Sequence, residues 1–138
     1  MARRGIADSD YARLLLVRTA LRKFERWSAE CAADHRLTAA QHQLLLAVRG
    51  HPQEAGPTIG QVADYLLIRH HSAVELATRI EEAGMITRVR DAHDNRVVRL
   101  KLAPRGAAVL ESLTSAHLEE LERLTPLFES LLGTLRAG

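Results

Sequence analysis

Tyr11, Leu14, Val17, Leu21, Phe24, Ser28 and Cys31 recur at alternating spacings of three and four, the one-sided stripe of a long amphipathic helix. That helix is predicted over about residues 9–34. Thr38-Ala39-Ala40-Gln41 has the form of a capping box, in which the Thr hydroxyl accepts from the backbone three residues on and the Gln side chain reaches back. A second helix should follow it to about Arg49-Gly50. His51 to Pro57 holds two Pro and a Gly and reads as a loop. Thr58-Ile59-Gly60-Gln61 repeats the box and opens a short helix to about Tyr65. Leu66 to Arg69 is the connector, and Ser72-Ala73-Val74-Glu75 is read as a third box, with Val74, Leu76, Ala77 and Ile80 behind it. Gly84 stands where a left-handed C-terminal cap belongs. Two short helices a few residues apart make a helix-turn-helix pattern.

Beyond Gly84 the period changes from 3.6 to 2. Ile86, Arg88 and Arg90 alternate with Thr87 and Val89, then Val98, Leu100 and Leu102 with Arg99 and Lys101, which predicts two strands. Asp91 to Asn95 between them is rich in turn-formers, so the pair reads as a hairpin with a polar tip. Pro104 suits the first turn of a last helix, whose stripe is Leu110, Leu113, His117, Leu121, Leu124, Phe128, Leu131 and Leu135. Pro126 is expected to kink that helix or start a new one. The expected fold is mainly α with one small β-hairpin. It is a winged helix-turn-helix over about residues 38–103, flanked by long helices over about 9–34 and 104–136, in a single domain of residues 1–138.

Composition narrows the function classes. The length suits one core. Aromatic residues are too few for a platform that stacks single-stranded bases. Cys31, the only cysteine, cannot form an internal disulfide, and no stretch is apolar for long enough to span a membrane, so a cytoplasmic protein is expected. No nucleophile elbow, phosphate loop, dinucleotide fingerprint or His-Glu-x-x-His stands in the chain, which argues against an enzyme, and nothing calls for a cofactor. The formal net charge is only +2, but it is unevenly placed. Residues 87–106 hold six basic side chains against two aspartates, while beyond Gly106 five Glu face two Arg.

A helix-turn-helix followed by a basic hairpin can lay its second helix in the major groove of B-DNA while the hairpin reaches the neighbouring minor groove or backbone. Base-reading residues cluster at the N-terminal end of that helix, which makes Arg69, His70, His71, Ser72, Ala73 and Glu75 the groove-facing candidates. Arg79, farther along, is expected to meet a phosphate or pair with an acid. On the hairpin, Arg90, Arg96, Arg99 and Lys101 are expected to point outward.

Residues 58–106 resemble the core of the MarR family, the multiple antibiotic resistance regulators. The resemblance is carried by Thr58-Ile59-Gly60-Gln61-Val62-Ala63, by Arg79-Ile80-Glu81-Glu82-Ala83-Gly84-Met85-Ile86, and by Asp91-Ala92-His93-Asp94-Asn95-Arg96 with Leu100-Lys101-Leu102-Ala103-Pro104-Arg105-Gly106. It implies a transcription regulator, commonly a repressor relieved by a small molecule, with Arg96 entering the minor groove and Asp94 ordering the wing by pairing with a nearby Arg. Ala103 departs from the pattern, since a Thr or Ser cap is usual there, and a looser start to the last helix is expected. The resemblance also implies a homodimer formed by the terminal helices. Two long apolar stripes agree with that, being more than one small winged helix can cover. A two-fold dimer would read a pseudo-palindromic operator in double-stranded DNA, with half-sites roughly 34 Å apart.

Trp27, Phe24, His35, His42 and Tyr65 fall near the expected junction of the dimer and DNA-binding regions, where the family commonly binds small aromatic acids. Trp27, His35, Arg36 and His42 are therefore candidate ligand residues, Arg36 as a fork for a carboxylate, and plain core packing is the alternative. His70 and His71 point about 100° apart on a helix and make a poor metal pair; His35 and His42 with Glu30 or Asp34 lack a dense ligand cluster, so no metal site is expected. Cys31 raises the alternative of a thiol-based redox sensor, against a buried inert thiol. A winged helix used for dimerisation or protein contact, without DNA, is the remaining alternative.

Overall fold

Both threonine capping boxes form. The computed structural model describes residues 5–136, with side chains through residue 133; residues 1–4 and 137–138 of the expected span, and the side chain of Leu135, lie outside the described residues. Gln41 N donates to Thr38 Oγ1 at 3.1 Å while Thr38 N donates to Gln41 Oε1 at 2.9 Å, and Gln61 and Thr58 repeat the exchange at 3.2 and 2.9 Å. These boxes start α2 (Ala39–Gly50) and α3 (Ile59–Leu66), after the long α1 (Asp8–Asp34). The second helix of the pair is α4 (His70–Glu82), followed by β1 (Ile86–Arg90), β2 (Val98–Leu102) and α5 (Pro104–Arg136).

The third capping box does not form. Leu67 takes a left-handed conformation (φ 57°), which lets Ile68 N reach back to Ala63 O at 3.1 Å and closes α3 abruptly. The chain is then free to turn helical at His70, so Ser72 sits inside the first turn of α4 and its N-cap is Arg69, which makes no side-chain capping bond. Gly84 behaves as expected: at φ 76° it ends α4 with bonds from Gly84 N to Glu81 O and Met85 N to Ile80 O.

β1 and β2 pair antiparallel, Ile86 opposite Leu102 and Arg88 opposite Leu100. Leu44, Leu45 and Val48 of α2, Val62 of α3, Ala77 and Ile80 of α4, Ile86 and Leu100 of the hairpin, and Leu110 and Leu113 of α5 form one buried cluster. α5 begins hard against the end of α4. Ala103 N donates to Met85 O at 2.8 Å, Arg105 Nη1 donates to Ala83 O at 3.0 Å, and Gly106 is placed so that a Cβ would fall on the Met85 carbonyl. This anchoring stands in for the hydroxyl cap that Ala103 cannot supply. α5 also runs through Pro126 as one helix rather than restarting there, with Thr125 Oγ1 bonded to Leu121 O at 2.7 Å.

The terminal helices are only partly covered. Phe24, Ser28 and Cys31 are half-buried, but Leu14, Leu15, Leu16 and Leu21 of α1 and Leu118, Leu121, Leu127 and Leu132 of α5 are exposed.

Candidate nucleic-acid interface

α4 divides cleanly by face. Ala73, Ala77 and Ile80 are buried, and the opposite stripe exposes His71, Glu75 and Arg79, one turn apart. Arg69 and His70 are exposed at its start. Arg69 supplies no side-chain cap to the first backbone N–H groups of α4, which stand at the positive end of the helix. Ala73 is a correction: its methyl is fully buried against the core, because position 73 falls on the same face as Ala77, so it is not on the exposed face with the other candidates. Ser72 is half-buried.

The helix is braced from behind. Arg88 on β1 donates through Nη2 to Thr78 Oγ1 at 2.9 Å and lies 3.4 Å from Glu81, tying α4 to the hairpin. The sequence pattern assigns Arg88 to a strand and to the wing's charge, and gives no sign of this bracing role.

At the wing, Arg96 is 90% exposed and rests against Asp94, Nε to Oδ1 at 3.1 Å and Nη2 to Oδ2 at 3.2 Å. Asp94 also accepts from Arg96 N at 3.0 Å, and Val97 N returns to Asp94 O, so the aspartate orders the tip around the arginine it presents. These bonds from Arg96 hold the Asp94 carboxyl below its usual pKa. Arg90 is exposed, with Nη1 donating to Asn95 O at 3.1 Å.

Arg99 is the second correction. Its side chain turns inward, 20% exposed, with Nε on Asp91 Oδ1 at 2.7 Å and Nη1 on Gly56 O at 3.0 Å. Lys101 is half-buried too, its ammonium on Glu54 O. Arg99 and Lys101, two residues apart, share one face of β2, and on that side the α2–α3 loop offers its carbonyls. Asp91, read in the sequence as a turn-former, is the organising acid of the wing: its Oδ2 accepts from His93 N and Asp94 N, both at 3.0 Å. The Arg99 bond is the main cause of its lowered pKa, followed by the His93 amide. An Asp at the head of a hairpin turn with an Arg eight residues on was the available signal.

The ligand candidates separate. Trp27 and His42 converge on His117, which sequence reading left out of the set: ring centroids are 4.7 Å apart for Trp27 and His117 and 4.8 Å for His42 and His117, with Phe24 at 5.9 Å from His117. Leu113 O can only accept, so His117 Nδ1 donates to it at 2.6 Å, and His117 Nε2 lies 2.6 Å from Ser28 Oγ. A cleft of about 590 Å³ opens beside them between α1, α2 and the α3–α4 turn, lined in part by Leu21, Phe24, Glu25, Ser28, His42 and Ile68. Of the four candidates only His42 lines it; Trp27, His35 and Arg36 do not. Arg36 takes the left-handed position that ends α1 (φ 61°), which leaves its side chain exposed at the turn. Tyr65 is engaged elsewhere, its hydroxyl 2.9 Å from His51 Nδ1.

Cys31 is half-buried, and its thiol pKa is pushed up by burial and then by Asp34, Glu30 and Glu120. A peroxide-sensing thiol needs the reverse, a stabilised thiolate. Among the described residues, no group of three His, Cys, Asp or Glu side chains is placed to hold a metal ion, and no helix is long and apolar enough to cross a membrane.

Comparison with known proteins gives a consistent picture. The family model described as MarR family matches residues 35–96. The HTH-type transcriptional regulator PecS of Dickeya dadantii (strain 3937) is 28% identical over 108 residues, which is 76% of this chain and 64% of PecS. The uncharacterized HTH-type transcriptional regulator YsmB of Bacillus subtilis (strain 168) is 29% identical over 73 residues, 53% of this chain and 48% of YsmB. The matched part of the chain thus spans between about half and just under two thirds of the length of these relatives. Among solved structures, a MarR family protein from Bacillus stearothermophilus superposes with a TM-score of 0.76 at 21% identity, covering 96% of this chain and 97% of that one. The S. aureus MepR–DNA complex gives a TM-score of 0.71 at 21% identity, covering 95% and 90%. At such identities the structural likeness is one of fold.

Proposed function

We propose that the chain is a member of the MarR family of winged helix-turn-helix proteins and a homodimeric, sequence-specific double-stranded DNA-binding transcription regulator, a repressor relieved by a small molecule. The observation that carries this reading is the pairing of an exposed α4 stripe, His71, Glu75 and Arg79 behind an uncapped N-terminus with Arg69 and His70, with a wing tip that presents Arg96. The stripe has the size and polarity of a major-groove reading face, and Arg96 and Arg90 have those of backbone or minor-groove contacts. MepR, alike in fold, is known bound to DNA. The exposed leucines of α1 and α5 support a dimer, since so many large apolar side chains left uncovered on two helices suit an interface. Two copies related by a two-fold axis then read half-sites about 34 Å apart, in the cytoplasm.

The cleft beside His42 supports the effector. Its apolar walls with Ser28 and His42 suit a small aromatic ligand, and Glu25 at its edge makes a purely anionic one less suited. Such a ligand acts by favouring a spacing of the two reading heads that does not fit the operator.

A gel shift on the DNA upstream of the protein's own gene, competed with random duplex at low salt, tests the reading. Specific retention of the upstream fragment is expected. If no duplex outcompetes random DNA, the chain is better described as a winged helix used for protein contact.

A further inference from the structure

We propose that Arg99 is a positioning residue for DNA binding, one that holds the wing in register with the helix-turn-helix through Asp91 on one side and the Gly56 carbonyl on the other. The role rests on the DNA-binding reading above. The geometry is that of a strut. Asp91 gathers the tip of the wing, with Oδ2 bonded to the amides of His93 and Asp94. Its other oxygen is bonded to Arg99 Nε at 2.7 Å, and the same guanidinium continues to Gly56 O at 3.0 Å. Both side chains are largely withdrawn from water, Arg99 at 20% and Asp91 at 15% exposure.

The far end of the strut is fixed. Leu100 N donates to Pro57 O at 2.9 Å, Arg99 forms a bridge with Thr58, and Lys101 bonds Glu54 O. Gly56 has φ 90° and is placed so that a Cβ would strike the Leu100 carbonyl, so the loop can lie this close to β2 only with glycine there. Thr58 is the N-cap of α3. A continuous path therefore runs from the amides of the wing tip, through Asp91 and Arg99, to the residue that starts the first helix of the reading head. A planar fork satisfies two acceptors in different directions at once, which a lysine ammonium on its flexible stem does not reproduce.

Charge and position predict opposite results, which makes the role testable. Asp91→Asn removes a negative charge from a DNA-facing element, so electrostatics alone predicts tighter binding. Arg99→Lys keeps the positive charge, so a simple phosphate contact predicts little change. The strut predicts that both weaken binding about tenfold, with a salt dependence close to that of the unaltered protein, and that combining Asp91→Asn with Arg99→Gln costs little more than either alone. It also predicts, in the free protein, at least about tenfold faster hydrogen exchange at His93 and Asp94 while the core amides keep their protection.

The measurements are fluorescence anisotropy on a duplex selected from a random pool, across a salt series, and amide exchange without DNA. Unchanged or tighter binding by Asp91→Asn, or full affinity in Arg99→Lys, would overturn the strut while leaving DNA binding intact. So would unchanged exchange at the wing tip. Failure of the unaltered protein to select any duplex would instead overturn the DNA-binding reading, and the positioning role with it.

Discussion

His42 meets His117 edge to face, ring centroids 4.8 Å apart, where α2 packs against α5. His42 is a buried polar side chain, 7% exposed. Its pKa is lowered from the ordinary 6.5, first by burial and then by His117 and His35. The imidazole thus stays neutral in the fold at a pH where the unfolded chain would bind a proton. Stability is present in full above 6.5 and declines as the pH falls from there toward the lower folded value. Thermal melts at about pH 7.5 and about pH 5 should show a lower melting temperature in acid, with the difference reduced in His42→Leu. Equal sensitivity in that variant would remove His42 from the cause.

Arg96 offers the plainest test of the wing. In the free protein its guanidinium is held by both oxygens of Asp94 and is 90% exposed, so it is presented toward solvent rather than packed. Arg96→Ala should weaken binding to every duplex by roughly tenfold or more and lower the salt slope by about one per subunit, leaving the order of sequence preference unchanged. Anisotropy titrations over a salt series measure both. An unchanged affinity would mean that the wing does not touch DNA.

Much of this layout was legible because its signals are local. The boxes at Thr38 and Thr58 act over three residues, and Gly84 meets a conformational need that glycine meets best. Ser72-x-x-Glu75 has the same spelling as the true boxes, and what decides against it is Leu67 in a left-handed turn, where no intrinsic preference places a leucine that is 90% exposed. Arg99 failed for a different reason. Strand alternation gives the side of the sheet but not what lies there, and its second partner, Gly56, is 43 residues away. Charge along the wing therefore looked uniform in sequence, although Arg88 braces α4, Arg99 faces inward, and Arg90 and Arg96 remain exposed. The aromatic cluster was half visible for the same reason: Trp27 and His42 meet only through His117, from the other end of the chain.

Gly106 predicts a steep loss of stability from a single methyl. A Cβ there would fall on the Met85 carbonyl, at the joint where Ala103 N and Arg105 also fasten α5 to the end of α4. Backbone must move to admit it. Gly106→Ala should cost about 2 kcal/mol or more, read as a clearly lower denaturant midpoint, although alanine is the better helix former elsewhere in a helix. A neutral result would show that the joint is loose.

The dimer prediction turns on which leucines the fold leaves uncovered. Leu15 on α1 is 67% exposed and Leu121 on α5 is 44% exposed, so neither owes its place to the protomer's own core. Leu15→Glu or Leu121→Glu should therefore leave the far-ultraviolet spectrum intact while converting the protein to monomer in analytical ultracentrifugation. DNA affinity should fall with it, because two linked reading heads bind far more tightly than one. The loss should exceed that of Arg96→Ala, since it removes a whole head rather than one contact from each. A variant that stays dimeric, or an unaltered protein that is monomeric at micromolar concentration, would place the interface elsewhere and leave these leucines without a role.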